Sequence, residues 1–152
     1  MRVQPKHFGL TQPVLIDLFR EHRSPQLAEA RQFVFSELPN YDLSRGLDGL
    51  PEDRKAYVRD LAWFYDNLGT LVAHGVIDIA PVSGYLGQSV LVYWERMQAL
   101  IHAERKKRQD SHDPERWQIY FENLYYLIRE QSPEEIRSAQ RMWRLKTQYR
   151  LV

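Results

Sequence analysis

Apolar residues recur along most of the chain at spacings of three and four, the period of one face of an α-helix. The clearest case lies between Pro51 and His74, where Tyr57, Leu61, Phe64, Leu68 and Leu71 advance by 4, 3, 4 and 3. A second stripe, Val58, Ala62, Tyr65, Gly69 and Val72, runs beside the first. An apolar face that wide predicts the central, most buried helix. Val14, Leu15, Leu18 and Phe19 predict an earlier helix ending near His22, and Leu27, Ala30, Val34 and Leu38 a second from Pro25 to about Glu37. Further on, Val90, Tyr93, Met97, Leu100 and Ile101 predict a long helix from about Gln88 to Gln109. Trp117, Tyr120, Phe121, Leu124 and Ile128 predict one from Pro114 to about Glu130, and Ile136, Ala139 and Trp143 a last one from Pro133 to about Lys146. Strand-like alternation appears nowhere at useful length.

Punctuation supports these spans. Ser24-Pro25, Asp113-Pro114 and Ser132-Pro133 each pair a capping residue with a proline, which the first helical turn tolerates because its N–H has no partner there. Leu50-Pro51 precedes Glu52 and Asp53, which suit the positive end of a helix dipole. Thr11 is expected to cap the first helix with Pro13 in its opening turn. Gly75 reads as a left-handed C-cap, with Val76 and Ile77 supplying the apolar contact that accompanies such caps. The polar stretch from Asn40 to Leu50, bearing Gly46 and Gly49, reads as the main loop. Ala80 to Gly87 is expected to hold one short helical turn, interrupted at Gly84 and Gly87. With no internal repeat, the whole reads as an all-α, single-domain, irregular bundle of about six helices over residues 1–152, with an N-terminal arm at 1–10 and a tail at 147–152.

Composition narrows the chemistry. Lys+Arg 21 against Asp+Glu 20 leaves no global field to steer the chain to nucleic acid or membrane. Zero cysteines remove disulfides, thiol catalysis and cysteine-ligated metals, and suit the reducing cytoplasm, where the protein is expected. Arg2, Gln4, Pro5, Lys6 and His7 leave no apolar stretch for a signal peptide, and His74, Asp78 and Glu95 interrupt the best candidates for a membrane span.

Specific site motifs are missing as well. Helical metal sites favour Glu-x-x-His, because residues three apart share a face. The residues three before the histidines are Gln4, Phe19, Leu71, Ala99 and Gln109. Glu95 and His102 share a face but stand two turns apart, too far to chelate one ion unaided. The loop from Asp42 to Asp53 has a calcium-loop outline, yet its glycine comes one position early and Leu47 fills the turn. Gly84-Tyr85-Leu86-Gly87 lacks the lysine and preceding strand of a phosphate loop. No catalytic, cofactor or metal residue is therefore assigned.

What remains is a set of polar residues on apolar helices: Asp66, Asn67, His74, Asp78, Glu95, Arg105, Glu122 and Asn123. A charge inside a bundle must be paired, since leaving it unsatisfied costs about 1–3 kcal/mol or more. Arg105 is expected to pair with Asp66 or Glu122, and Asn67 to meet Asn123 across two helices. Such residues either line a small polar pocket or form a network that fixes helix register, and the register network is the reading preferred here. Tyr125 and Tyr126 cannot both face inward, and Trp63, Trp143 and Tyr149 fall outside the main stripes, so part of the aromatic complement is expected at a contact surface. Arginine outnumbers lysine 16 to 5, which fits planar pairing and stacking. Past Ile136 the chain carries Arg137, Arg141, Arg144, Lys146 and Arg150 with no acid, and the first three share a helix face near Trp143. That stripe keeps nucleic-acid binding open as an alternative.

The run Tyr65 to Asp78, reading Y-D-N-L-G-T-L-V-A-H-G-V-I-D, is followed by Trp94, an apolar run to Ile101, Arg105, and F-E-N-L from Phe121. This layout resembles a family of bacterial all-helical proteins known only as a domain of unknown function, over roughly Gln26 to Leu127. The resemblance implies the helical fold and supplies no activity. Some members carry an N-terminal membrane segment, and none is expected here. The expectation is a cytoplasmic, non-enzymatic helical module acting through protein contacts, including self-association as a homodimer, and without a cofactor. Nucleic-acid binding is second, and an enzyme or ligand-binder with an unrecognised polar pocket third.

Overall fold

A computed structural model describes residues 8–109 and 112–131. Five α-helices fill most of that length: α1, Phe8–His22; α2, Pro25–Ser36; α3, Glu52–Ala73; α4, Ile79–Lys107; and α5, Ile119–Glu130. Three short 3-10 segments join them, at Leu38–Asn40, Leu43–Gly49 and Pro114–Arg116, and no strand occurs among the described residues. The expected last helix, Pro133 to Lys146, lies outside the described residues, as do the 1–7 part of the arm and the tail.

The helix limits follow mostly from local chemistry. Ser24 Oγ accepts the Leu27 N–H at 3.3 Å with Pro25 in the first turn, which starts α2 as expected. At the end of α3, Gly75 takes φ +69°, its N–H bonds the Val72 carbonyl at 3.1 Å, and the Val76 N–H reaches back to Leu71 at 2.9 Å. This is the paired closure that a left-handed glycine allows, and Ile77 is then buried.

Four expectations are corrected. First, α1 begins at Phe8, so Thr11 is not its cap and Pro13 sits inside the helix. Second, Gly84 and Gly87 do not interrupt α4, which is continuous from Asp78, its cap, because Pro81 falls in the first turn and Gly87 packs on Ile128. Third, the helix expected from Pro114 breaks at Trp117, and Gln118 adopts φ +61° before α5 starts. Fourth, much of the main loop is helical in the 3-10 sense, with Gly46 at φ +60° dividing it.

One hydrophobic core unites the elements. α3 packs on α2 and α5, and α4 also packs on α2 and α5, while the Leu43–Gly49 segment lies along the C-terminal half of α4. Trp94, Tyr65, Phe33, Phe64 and Phe121 are the largest side chains wholly inside. Tyr65 stacks on Phe121 at 4.9 Å between ring centres, and Trp94 meets Phe121 edge-on at 5.1 Å. Both apolar stripes of α3 are buried where neighbours cover them, through Val58, Leu61, Ala62, Phe64, Tyr65, Leu68 and Gly69. No described helix is long and apolar enough to cross a membrane.

Candidate functional site

The start of α5 concentrates the polar chemistry. Its own N-cap residue, Gln118, offers no capping side chain, so the orphan N–H groups of the first turn need an acceptor from elsewhere. Asp66 on α3 provides it, accepting from Tyr120 and Phe121 N–H at 3.0 Å each. Burial pushes the Asp66 carboxyl up, against the two N–H donors and the nearby Arg105, which pull it down. One turn later on α3, Gly69 lies directly beneath the Tyr120 carbonyl, an approach that leaves no room for a Cβ. The carboxylate and the missing side chain together seat α5 on α3.

Arg105 holds the same junction from α4. It is 3% exposed, donates from Nε to the Trp117 carbonyl at 2.8 Å and from Nη1 to Glu122 at 2.6 Å, and has Glu115 at 3.6 Å. Pairing of Arg105 with a carboxylate on another helix is thus present, and the partner is Glu122 where Asp66 was the other expectation. Arg108 adds its guanidinium over the Trp117 ring at 4.8 Å. These grips on Trp117 account for the break before α5. Arg105 Nη2 and Gln118 Oε1 are buried with no hydrogen-bond partner among the described residues.

Glu104, which the charge run Arg105 to Arg108 conceals in the sequence, is buried beside it and accepts the Leu47 N–H at 3.0 Å. Lys107 reaches Glu104 at 3.1 Å, Asp48 at 2.5 Å and the Arg45 carbonyl at 3.3 Å. The positive φ at Gly46 brings that backbone against Glu104, where a Cβ would collide with its carboxylate. Elsewhere Arg31 donates to the His22 carbonyl at the end of α1, and Arg96 donates to the Phe35 carbonyl near the end of α2 at 2.9 Å. The recurring theme is a charged side chain on one helix serving the backbone of another element.

The remaining candidates do not converge on one pocket. Asp78 accepts from Ala80 N–H at 3.4 Å, Glu95 from the Tyr125 hydroxyl at 3.3 Å, and His74 and the Tyr120 hydroxyl are 3.2 Å apart. Asn67 and Asn123 are both exposed and make no hydrogen bond with each other, which corrects the expected bridge: each lies on the outer face of its helix. Arg137, Arg141, Arg144 and Trp143 lie outside the described residues. The calcium-like loop is spent internally, Asp42 accepting from Ser44 and Asp48 pairing with Lys107. Among the described residues no group of three His, Asp or Glu is placed to hold a metal. An open groove of about 470 Å³ lies between Ser44 and the Ala99, His102, Ala103, Lys106 and Lys107 face of α4.

Sequence reasoning missed His22. It is 8% exposed, lies 3.2 Å from the Tyr65 hydroxyl, and is pushed down to about 4 by burial first and by Arg31 second. The signal was present, since His22 continues the Leu15, Leu18 stripe by one turn.

The outer surface of α3 and α5 has a different character. Trp63 is 63% exposed at mid-helix, and Asn67 and His74 follow it on the same face. On α5, Ile119, Asn123 and Tyr126 are exposed at spacings of 4 and 3. None of these six is a carboxylate, an ammonium or a guanidinium.

Fold and site together define an all-helical bundle in which the buried and half-buried ionised groups Asp66, Glu104, Arg105 and Glu122 hold helix ends and loops in register. A family model described as a domain of unknown function (DUF4760) matches residues 13–130, and the chain belongs to that family. No curated protein and no solved structure matches the chain.

Proposed function

We propose that the protein is a non-enzymatic helical module of the bacterial cytoplasm that works through protein contacts, its outer α3–α5 face joining a second copy of the chain. The observation that carries this reading is Trp63, 63% exposed at the middle of the helix that forms the centre of the core. Protein interfaces are enriched in Trp and Tyr and depleted of charge at their centres, and the residues around Trp63 on this face share that chemistry. The charges that border these six residues, exposed Arg59 one turn before Trp63 and exposed Glu130 one turn after Tyr126, are of opposite sign, and Asn67 and Asn123 each offer both donors and acceptors to a symmetric partner. The net charge of +1 does not oppose association. The lack of cysteine suits a reducing compartment.

Light scattering of the full chain across micromolar concentrations is the test. The expected result is a species of twice the chain mass that returns to the single-chain mass in Trp63→Arg, with helical circular dichroism unchanged. A single-chain mass for the unmodified protein at every concentration, or a dimer indifferent to Trp63→Arg, overturns it.

A further inference from the structure

The outer α3–α5 face carries opposite charges at its two ends, and the topology shows which ends those are. The Leu47 N–H, in the 3-10 segment that leads into α3, bonds Glu104 near the end of α4, so α4 runs back along α3. Arg105, at that same end of α4, holds the Trp117 carbonyl and Glu122 around the start of α5, whereas Gly87, in the first third of α4, packs against Ile128 near the end of α5. α5 is therefore antiparallel to α4 as well, and α3 and α5 run parallel, with Asp66 level with Tyr120 and Phe121.

Helical rise then places the exposed residues of the face along one scale. With Asn67 level with Phe121 and 1.5 Å per residue, Trp63 lies about 6 Å and Arg59 about 12 Å towards one end. On α5, Asn123 lies about 3 Å, Tyr126 about 7 Å and Glu130 about 13 Å towards the other. Arg59 and Glu130 are thus too far apart to pair within one chain. Matching Arg59 with Glu130, Trp63 with Tyr126 and Asn67 with Asn123 gives three midpoints that agree within about 2 Å. A two-fold axis lying in the face across that shared midpoint exchanges the members of all three pairs at once, because a two-fold contact sets residue i on j and j on i.

We propose that the second copy lies on this face with its helices antiparallel to the first, α3 of each copy along α5 of the other, so that Arg59 meets Glu130, Trp63 meets Tyr126 and Asn67 meets Asn123, twice each. This register rests on the self-association proposed above and fixes its direction. Charge decides between the two symmetric directions. Parallel helices would set Arg59 against Arg59 and Glu130 against Glu130, whereas antiparallel helices set a guanidinium on a carboxylate at both ends. Helix dipoles favour the same choice. Trp63 on Tyr126 covers two of the exposed rings of the face, and the amides, each with donors and an acceptor, satisfy one another near the axis.

Charge reversal tests the register, with the dimer dissociation constant of the full chain read by sedimentation at low salt. Arg59→Glu and Glu130→Arg should each weaken the dimer by about tenfold, because each turns two opposite pairs into two like ones, and the loss should shrink in high salt. Both changes in one chain should restore the parental affinity, and mixing the two single variants should give the mixed dimer in preference to either self-dimer. Both residues are exposed, so the melting temperatures should stay at the parental value. The chain has no cysteine, so Arg59→Cys and Glu130→Cys supply a second readout: a short bismaleimide should link the two variants when they are mixed and neither variant to itself. A parent of single-chain mass at every concentration overturns both the self-association and the register. A Trp63-dependent dimer that is indifferent to both reversals, or in which Arg59→Cys links to itself, leaves the self-association standing and overturns the register.

Discussion

Replacing Gly69 by alanine sets two effects of opposite sign against each other in one methyl group. In an ordinary helix interior the change is favourable by about 1 kcal/mol, because glycine is the more flexible residue in the unfolded chain. In α3 the added Cβ would overlap the Tyr120 carbonyl oxygen and stand 2.6 Å from the carbonyl carbon, where ordinary contact begins near 3.4 Å. Tyr120 has little freedom to retreat: its N–H and that of Phe121 are both held by Asp66 at 3.0 Å, and its hydroxyl lies 3.2 Å from His74. Overpacking of a rigid contact costs about 1–3 kcal/mol, and displacing α5 also strains two hydrogen bonds to a carboxylate, worth about 1.5 kcal/mol each or more. The clash outweighs the helix-propensity gain, and we expect Gly69→Ala to destabilise by about 3 kcal/mol, or about 10 °C in a thermal melt of a chain this size.

Gly84 supplies the internal control. It lies in α4, and a Cβ there meets nothing within 4 Å. Gly84→Ala should therefore stabilise by about 1 kcal/mol. Urea titration followed by circular dichroism, with the slope checked for constancy, measures both. A Gly69→Ala protein as stable as the parent or more so would refute the close-packed α3–α5 junction.

Two further perturbations probe the ionised groups. Arg105→Ala removes a buried guanidinium and leaves the Trp117 carbonyl and Glu122 without their donor, so a loss of about 3 kcal/mol is expected in the same titration; an unchanged urea midpoint would return Arg105 to the solvated charge run beside it. His22 titrates at about 4 in the folded chain and near 6.5 when unfolded, so its contribution is complete above pH 6.5 and is lost as pH falls from there towards 4. That window is worth about 3 kcal/mol, and His22→Gln should lack this part of the acid slope; identical slopes for the two proteins between pH 4 and 6.5 would defeat the assignment.

Features that depend on neighbouring residues in the chain were readable from the sequence. The Gly75 closure, the Ser24-Pro25 start and the double stripe of α3 all follow from residues a few positions apart. The break at Gln118 was not readable, because its causes, Arg105, Arg108 and Asp66, lie on other helices. Glu104 was hidden for a related reason: a carboxylate beside four cations reads as a solvated helix end, and only the Leu43–Gly49 segment folding over α4 buries it. Asn67 and Asn123 show the limit of polarity as a guide, since an amide on an apolar helix signals nothing about direction. Helical phase does better, for Asn67 is one residue before buried Leu68 and two before buried Gly69, which turns it outward.

The contrast between two tryptophans carries the functional argument furthest. Trp94 is 1% exposed, wedged between Phe121 and Tyr125, and its burial supports the fold. Trp63 is 63% exposed on a helix that hides most other large apolar residues it carries. A tryptophan has about 150–250 Å² to bury, so at about 25 cal/mol per Å² this exposure forgoes roughly 2–4 kcal/mol that an inward-facing position would have supplied. Of its ionised neighbours, Asp66 is engaged in seating α5 and Asp60 accepts from Gln26 at 2.7 Å, while Arg59 stands exposed one turn away. Folding stability thus gives no reason for a large aromatic at this position, whereas a contact surface does: the area left open in one chain is area that a second chain can cover.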